Sequence, residues 1–146
     1  MQTGKGVSDF HTGDRVVSNG NHAEYVVVNQ NLCTRIPDNT DIKEASFTVL
    51  GSIALHGLRL SETSLGSKVV VIGLGIIGQL VCRLAEAQGS EVIGIDPDTK
   101  RTDLSANFYT SVEEANMTNV DSVIITAATS SLSLIHISEP TRRQQI

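Results

Sequence analysis

The run Val69-Val70-Val71-Ile72 leads directly into Gly73-Leu74-Gly75-Ile76-Ile77-Gly78, and a second apolar run, Val92-Ile93-Gly94-Ile95, ends on Asp96. A bare G-x-G-x-x-G says little, because glycine-rich turns are common. Here a buried-strand run precedes it, an apolar helical stripe follows it, and a carboxylate stands 18 residues beyond the third glycine. That series is the sequence form of a dinucleotide-binding βαβ unit.

Each position has a chemical reason. Gly73 lets the chain leave the strand through a turn that would strain an L-residue. Gly75 has no Cβ, so a pyrophosphate can come close to the main chain, and Gly78 lets the next helix lie against the strand. The free N–H groups near Ile76 and Ile77 then face the diphosphate at the positive end of the helix dipole. Ile76, Ile77, Leu80, Val81, Leu84 and Ala85 form a stripe of 3.6-residue period, which Gly89 stops. Asp96, at the tip of the second strand, is placed to accept hydrogen bonds from both hydroxyls of an adenine ribose. A 2′-phosphate beside that carboxylate would set like charges together, so NAD is expected rather than NADP. Lys100 and Arg101, just beyond it, soften that rejection.

Composition narrows the partners. With a net charge of −5 and no basic stripe, the chain is not suited to nucleic acid or an anionic membrane. Aromatic residues are 3% and Trp is absent, so the core must be built from Val, Ile, Leu and Ala, as in a parallel sheet covered by helices. No apolar run is long enough to span a bilayer. Cys33 and Cys82 form no CxxC pair, which points to a reducing, cytoplasmic setting.

Four parallel strands are expected, at 69–72, 92–95, 107–109 and 122–126. Asp98 is placed to cap a short helix through Thr102 and Leu104, and Ser111 with Glu114 has the form of a capping box. Thr126 and Ala127, at the tip of the fourth strand, are the visible candidates for contacts toward a nicotinamide ribose. The first 66 residues differ in texture. Asp14–Ser18 and Ala23–Val28 read as strands joined by a turn at Asn19-Gly20-Asn21. Asp41 caps a helix with Glu44 three residues on, and Gly51 suggests two helical segments meeting there. His11, His22 and His56 are not spaced as a metal cluster, and the catalytic residues are not identifiable.

From Leu132 the chain reads Leu-Ser-Leu-Ile-His-Ile-Ser-Glu-Pro-Thr-Arg. That string matches, codon by codon, the translation of a transposase-type sequencing-library adapter. Residues 132–146 are therefore expected to be non-native and are set aside from fold reasoning.

As a set, Gly13-Asp14-Arg15-Val16, His22-Ala23-Glu24-Tyr25-Val26, Ile36-Pro37-Asp38, the helix over 45–58 and the glycine fingerprint ending at Asp96 resemble the medium-chain dehydrogenase/reductase family. The likeness runs from about Phe10 to Thr129. It is nearest to the dehydrogenase half of bacterial two-domain oxidoreductases. The resemblance implies an α/β fold: a partial, doubly wound Rossmann sheet over residues 46–131, preceded over residues 1–45 by the end of a β-rich GroES-like catalytic domain. It also implies that the chain is a fragment, inactive by itself, of an NAD-dependent oxidoreductase. That enzyme would move a hydride between the nicotinamide and an alcohol or sugar-type substrate, and a homo-oligomer is compatible with the resemblance. In zinc-bearing members a thiolate or carboxylate stands in the helix before the Rossmann strand. The corresponding position here falls near Leu50, which offers no ligand atom, so zinc is not expected in this chain. The rival reading is an NAD-sensing or structural Rossmann module without turnover. The expected cofactor contacts are Gly73, Gly75, Ile76, Ile77, Gly78, Asp96 and Thr126.

Overall fold

The computed structural model describes residues 2–102, 107–115 and 117–127, and the chain divides into two compact units at Ser52 and Ile53. The suspected non-native segment 132–146 and Leu104 lie outside the described residues.

In the first unit, strand β1 (Val16–Ser18) pairs antiparallel with β2 (Cys33–Arg35), matching Val16 to Arg35 and Ser18 to Cys33. The expected strand over Ala23–Val28 does not form. β-Branched residues favour strands only where a pleated, half-buried surface receives them. Tyr25 is 85% exposed and Val27 is fully exposed, so this segment has no such surface, and Arg35 takes the place beside β1 instead. An ion pair from Arg35 Nη2 to Asp14 Oδ2, 2.8 Å, supports that pairing. The His11 N–H and Arg35 together hold the Asp14 carboxyl below its ordinary pKa against a smaller opposing effect of burial.

Helix α1 (Ile42–Ala45) starts as expected, with Asp41 Oδ1 accepting from the Lys43 N–H at 2.7 Å. Helix α2 (Thr48–Leu60) follows. The break between them lies at Ser46 and Phe47, not at Gly51. The Ser46 hydroxyl donates to the Lys43 carbonyl at 2.6 Å, and the Thr48 hydroxyl donates to the Ala45 carbonyl at 2.7 Å. Side chains thus satisfy carbonyls that a continuous helix would bond through its main chain. Gly51 costs only about 1 kcal/mol relative to Ala inside a helix, and its N–H still reaches the Phe47 carbonyl at 2.7 Å.

The second unit is built on a four-stranded parallel sheet of β3 (Lys68–Ile72), β4 (Glu91–Ile95), β5 (Phe108–Tyr109) and β6 (Ser122–Ile125), in the order β5-β4-β3-β6. All four lie where the apolar runs predict them. The pleat sorts the side chains. Val69, Val71 and Val92 face one way and pack with Ala54, Leu58, Leu74, Val81, Cys82 and Ala85. Val70, Ile93 and Ile95 face the other way, toward Ala115, Tyr109, Met117 and Val120. Burial on both faces is why the strands read as continuous apolar runs rather than alternating ones. Each fully buried valine contributes roughly 1.5–3 kcal/mol.

Between the first two strands lies α3 (Ile76–Gln88), closed by Gly89 in the left-handed region at φ 89°. Helix α4 (Thr99–Thr102) is a single turn with the Lys100 N–H on Asp98 Oδ1 at 3.1 Å. The capping box at Ser111 forms over a turn, not a helix. The Glu114 N–H donates to Ser111 Oγ at 3.3 Å, while the Glu114 carboxylate reaches back one residue further than expected, to the Thr110 N–H at 3.1 Å. No helix among the described residues is long and apolar enough to cross a membrane.

Candidate functional site

The glycine turn joins the end of β3 to the start of α3. Gly73 has φ 94°, a conformation L side chains rarely adopt, and an added Cβ would lie 2.6 Å from the Ala127 main-chain nitrogen. Gly78 is closed off in another way: a Cβ there would overlap the Gly73 carbonyl oxygen and sit 2.7 Å from Thr126 Oγ1. Gly75 is the exception. Its backbone (φ −65°, ψ −172°) suits any residue, and an added Cβ would meet no protein atom within 4 Å. Two glycines are therefore required by the protein's own packing, and the third faces open space.

Gly75 is also the N-cap of α3 and has no side chain to cap it. The N–H groups of the first turn, at Ile76, Ile77 and Gly78, are left for solvent or an anion. The space left open at Gly75, beside the first-turn amides, fits an anionic group such as the diphosphate of a nicotinamide dinucleotide.

Asp96 follows β4 directly and is buried, with 3% of its surface exposed. Its Oδ2 accepts from the Leu74 N–H at 2.7 Å and from Arg101 Nη1 at 3.0 Å, and its Oδ1 accepts from the Asp98 N–H at 2.9 Å. Burial pushes the carboxyl up, but the hydrogen bonds from Asp98, Leu74 and Arg101 outweigh it and hold the group below its ordinary pKa. Asp96 is thus ionised and bound to the middle of the glycine turn.

Five contacts here were not anticipated. The Leu74 peptide is held at both ends, because Gln79 Nε2 donates to its carbonyl at 2.9 Å while its N–H is on Asp96. Leu74 itself is fully buried. Arg101 bridges two carboxylates, its Nε lying 3.5 Å from Asp98 Oδ2. Thr126, expected to face a nicotinamide ribose, donates its hydroxyl to the Gly73 carbonyl at 2.5 Å. Its proton is committed to the turn, and only acceptor lone pairs are left for a ligand. The position of Gln79 directly after the third glycine was the one available signal for its role.

Gly73, Gly75, Ile76, Ile77, Gly78 and Asp96 come together at the ends of β3 and β4, and Thr126 joins them from the end of β6. Among the described residues no three His, Cys, Asp or Glu side chains are grouped to hold a metal ion.

Comparison with known proteins relates the chain to dehydrogenases. Residues 43–137 match the family described as D-isomer specific 2-hydroxyacid dehydrogenase, NAD binding domain. D-guloside 3-dehydrogenase of Escherichia coli K12 is 35% identical over 109 residues, which is 72% of this chain and 31% of that protein. D-xylulose reductase A of Aspergillus oryzae is 32% identical over 90 residues, 61% of this chain and 25% of that protein. The chain therefore spans about a third or less of the length of these relatives. Among solved structures, the quinone oxidoreductase of Coxiella burnetii has a TM-score of 0.70 at 25% identity, covering 83% of this chain and 44% of that one. The Helicobacter pylori CAD, solved with NADP(H), has a TM-score of 0.60 at 24% identity, covering 68% and 30%. The 2-hydroxyacid match includes the part of the chain that carries the dinucleotide unit, and these relatives and solved structures include sugar dehydrogenases and a quinone oxidoreductase. The chain belongs to the medium-chain dehydrogenase/reductase family, and its dinucleotide unit also matches the NAD-binding domain of the D-isomer-specific 2-hydroxyacid dehydrogenases.

Proposed function

We propose that this chain is the cofactor-holding segment of an NAD-dependent oxidoreductase acting on an alcohol or sugar-type substrate. The observation that carries the reading is Gly75, the one glycine of the fingerprint whose missing Cβ leaves space for a ligand rather than for the protein. When bound, the nicotinamide supplies the hydride acceptor. The chain's own residues do the holding: first-turn amides for the diphosphate, and Asp96 for the adenine ribose. NAD is preferred because Asp96 is an ionised carboxylate in the place where NADP would bring a phosphate. The sugar dehydrogenases among the relatives support the substrate class. Cys33 and Cys82 are both free thiols, which supports a cytoplasmic setting.

Isothermal titration of NAD into the purified chain tests this. Saturable one-to-one binding is expected, with NADP binding more weakly. Absence of binding in a chain shown to be folded by circular dichroism would refute it.

A further inference from the structure

Gln79 is tied twice to the start of α3. Its main-chain N–H donates to the Gly75 carbonyl at 2.9 Å, and its side-chain Nε2 donates to the Leu74 carbonyl at 2.9 Å. The first is an ordinary helical bond. The second comes from a side chain, and among the described residues the Leu74 carbonyl meets no main-chain donor.

A trans peptide is planar, with its C=O and N–H pointing in opposite directions. Holding the Leu74 carbonyl on Gln79 therefore fixes the Gly75 N–H, which belongs to the same peptide, and aims it away from Gln79. No acceptor among the described residues meets that N–H. It belongs to the residue whose missing Cβ leaves open space, and it stands one place ahead of the first-turn amides of Ile76, Ile77 and Gly78. The peptide before it is held from both sides, with the Gly73 carbonyl on the Thr126 hydroxyl and the Leu74 N–H on Asp96. The Leu74–Gly75 peptide has Gln79 alone among the described residues.

Glycine also makes this peptide easy to invert. Turning it over carries φ of Gly75 from −65° to positive values, which an L-residue resists and glycine does not. Inverted, it sets a carbonyl oxygen where the N–H had been, and an anion is then met by a partial negative charge. The glycine that leaves room for the anion thus removes the steric bar to inversion, and a side-chain donor is what opposes it.

We propose that Gln79 is a positioning residue for the diphosphate: its carboxamide holds the Leu74–Gly75 peptide with the N–H presented to the anion. It acts through the main chain, without touching the nucleotide. This rests on the dinucleotide-binding reading above and adds to it a side chain outside the glycine fingerprint.

ADP carries the diphosphate without the nicotinamide and serves as the probe. Amide nitrogen–proton NMR spectra of the parent chain, Q79M and Q79E are followed through an ADP titration. In the parent, ADP should move the Gly75 and Ile76 amide protons downfield as each takes a charge-assisted hydrogen bond. Q79M keeps the side chain's length and removes its donor. The Ile76 shift should then remain and the Gly75 shift be lost, with ADP binding weaker by about three- to thirtyfold, up to the loss of one hydrogen bond to a charged group. Q79E puts an acceptor where the donor stood, and should lose the Gly75 shift with a larger fall in affinity. A Gly75 shift of parental size in both variants would overturn the proposal. Equal loss of the Gly75 and Ile76 shifts, or collapse of the dispersed spectrum in both variants, would assign Gln79 to the fold of the turn and overturn it as well. A folded parent chain whose turn amides do not respond to ADP would refute the dinucleotide reading itself, and the inference with it.

Discussion

Exchanging single glycines for alanine at positions 75 and 78 should separate binding from folding. At Gly78 the new methyl would overlap the Gly73 carbonyl oxygen and press on Thr126 Oγ1 at 2.7 Å. Neither is the free end of a flexible side chain, because the Thr126 hydroxyl is itself bonded to that carbonyl. Relief requires α3 to move away from β3, and overpacking of this kind costs about 1–3 kcal/mol. For a domain of this size each kcal/mol lowers Tm by about 4–8 °C. At Gly75 the backbone already lies where alanine is comfortable and the methyl meets no protein atom. Alanine is a poorer N-cap than glycine by some tenths of a kcal/mol to about 1 kcal/mol. It also lowers the entropy of the unfolded chain by a similar amount, about 0.4–1 kcal/mol. The two nearly cancel, so G75A should unfold within a few degrees of the parent. Its nucleotide binding should not survive as well. A methyl between the diphosphate and the first-turn amides lengthens at least one charge-assisted hydrogen bond beyond use. That loss is about 1.5–3 kcal/mol, or roughly ten- to a hundredfold in Kd. Differential scanning fluorimetry and NAD titration on the three chains measure both quantities. G75A with parental NAD affinity, or G78A with parental Tm, would refute the assignment of these glycines.

Asp96→Ala removes the acceptor of two main-chain N–H groups and of Arg101 together. Both nucleotides should bind more weakly, and the preference for NAD over NADP should narrow, which paired titrations would show. Stability should fall with acid in a defined window. Asp96, Asp14 and Glu114 all have pKa values lowered in the folded chain, so their stabilisation is fully present above the ordinary carboxylate range of about 3.9–4.3. It is lost as pH falls through the lower folded values. Tm should therefore be flat from pH 7 to about 5 and drop below about 4, and a drop centred near pH 6 would count against it. Burial pushes the Cys82 thiol up to about 12, so Cys82 should resist a thiol reagent at pH 8 while the partly exposed Cys33 reacts. Labelling of Cys82 at the rate of Cys33 in folded protein would contradict its placement in the core.

What could be read from the chain follows from how far apart the deciding atoms lie along it. The four parallel strands, α3 and its stop at Gly89 were legible because each is specified within a dozen residues by apolar period and by glycine. The shape of the glycine turn was legible for the same reason, since the fingerprint describes main-chain shape. Ala23–Val28 has every local mark of a strand and does not become one, because a strand needs a neighbour and β1 pairs with β2 instead. The bond from Thr126 to Gly73 spans 53 positions and carries no local signature, which is why its bracing of the turn was not legible in the sequence.

Asp96 lies between these cases. Its position at the strand end is a local property, and the expectation that it grips a ribose follows from position alone. Whether it can do so depends on how many of its lone pairs are already spoken for, and three of about four are. Two of those partners are main-chain amides, present whatever the side chains are. The third is a side chain five residues on, and it alone is open to substitution. A fingerprint that ends in aspartate therefore marks where a carboxylate stands, while the hydrogen bonds that hold that carboxylate come from residues on both sides of it along the chain.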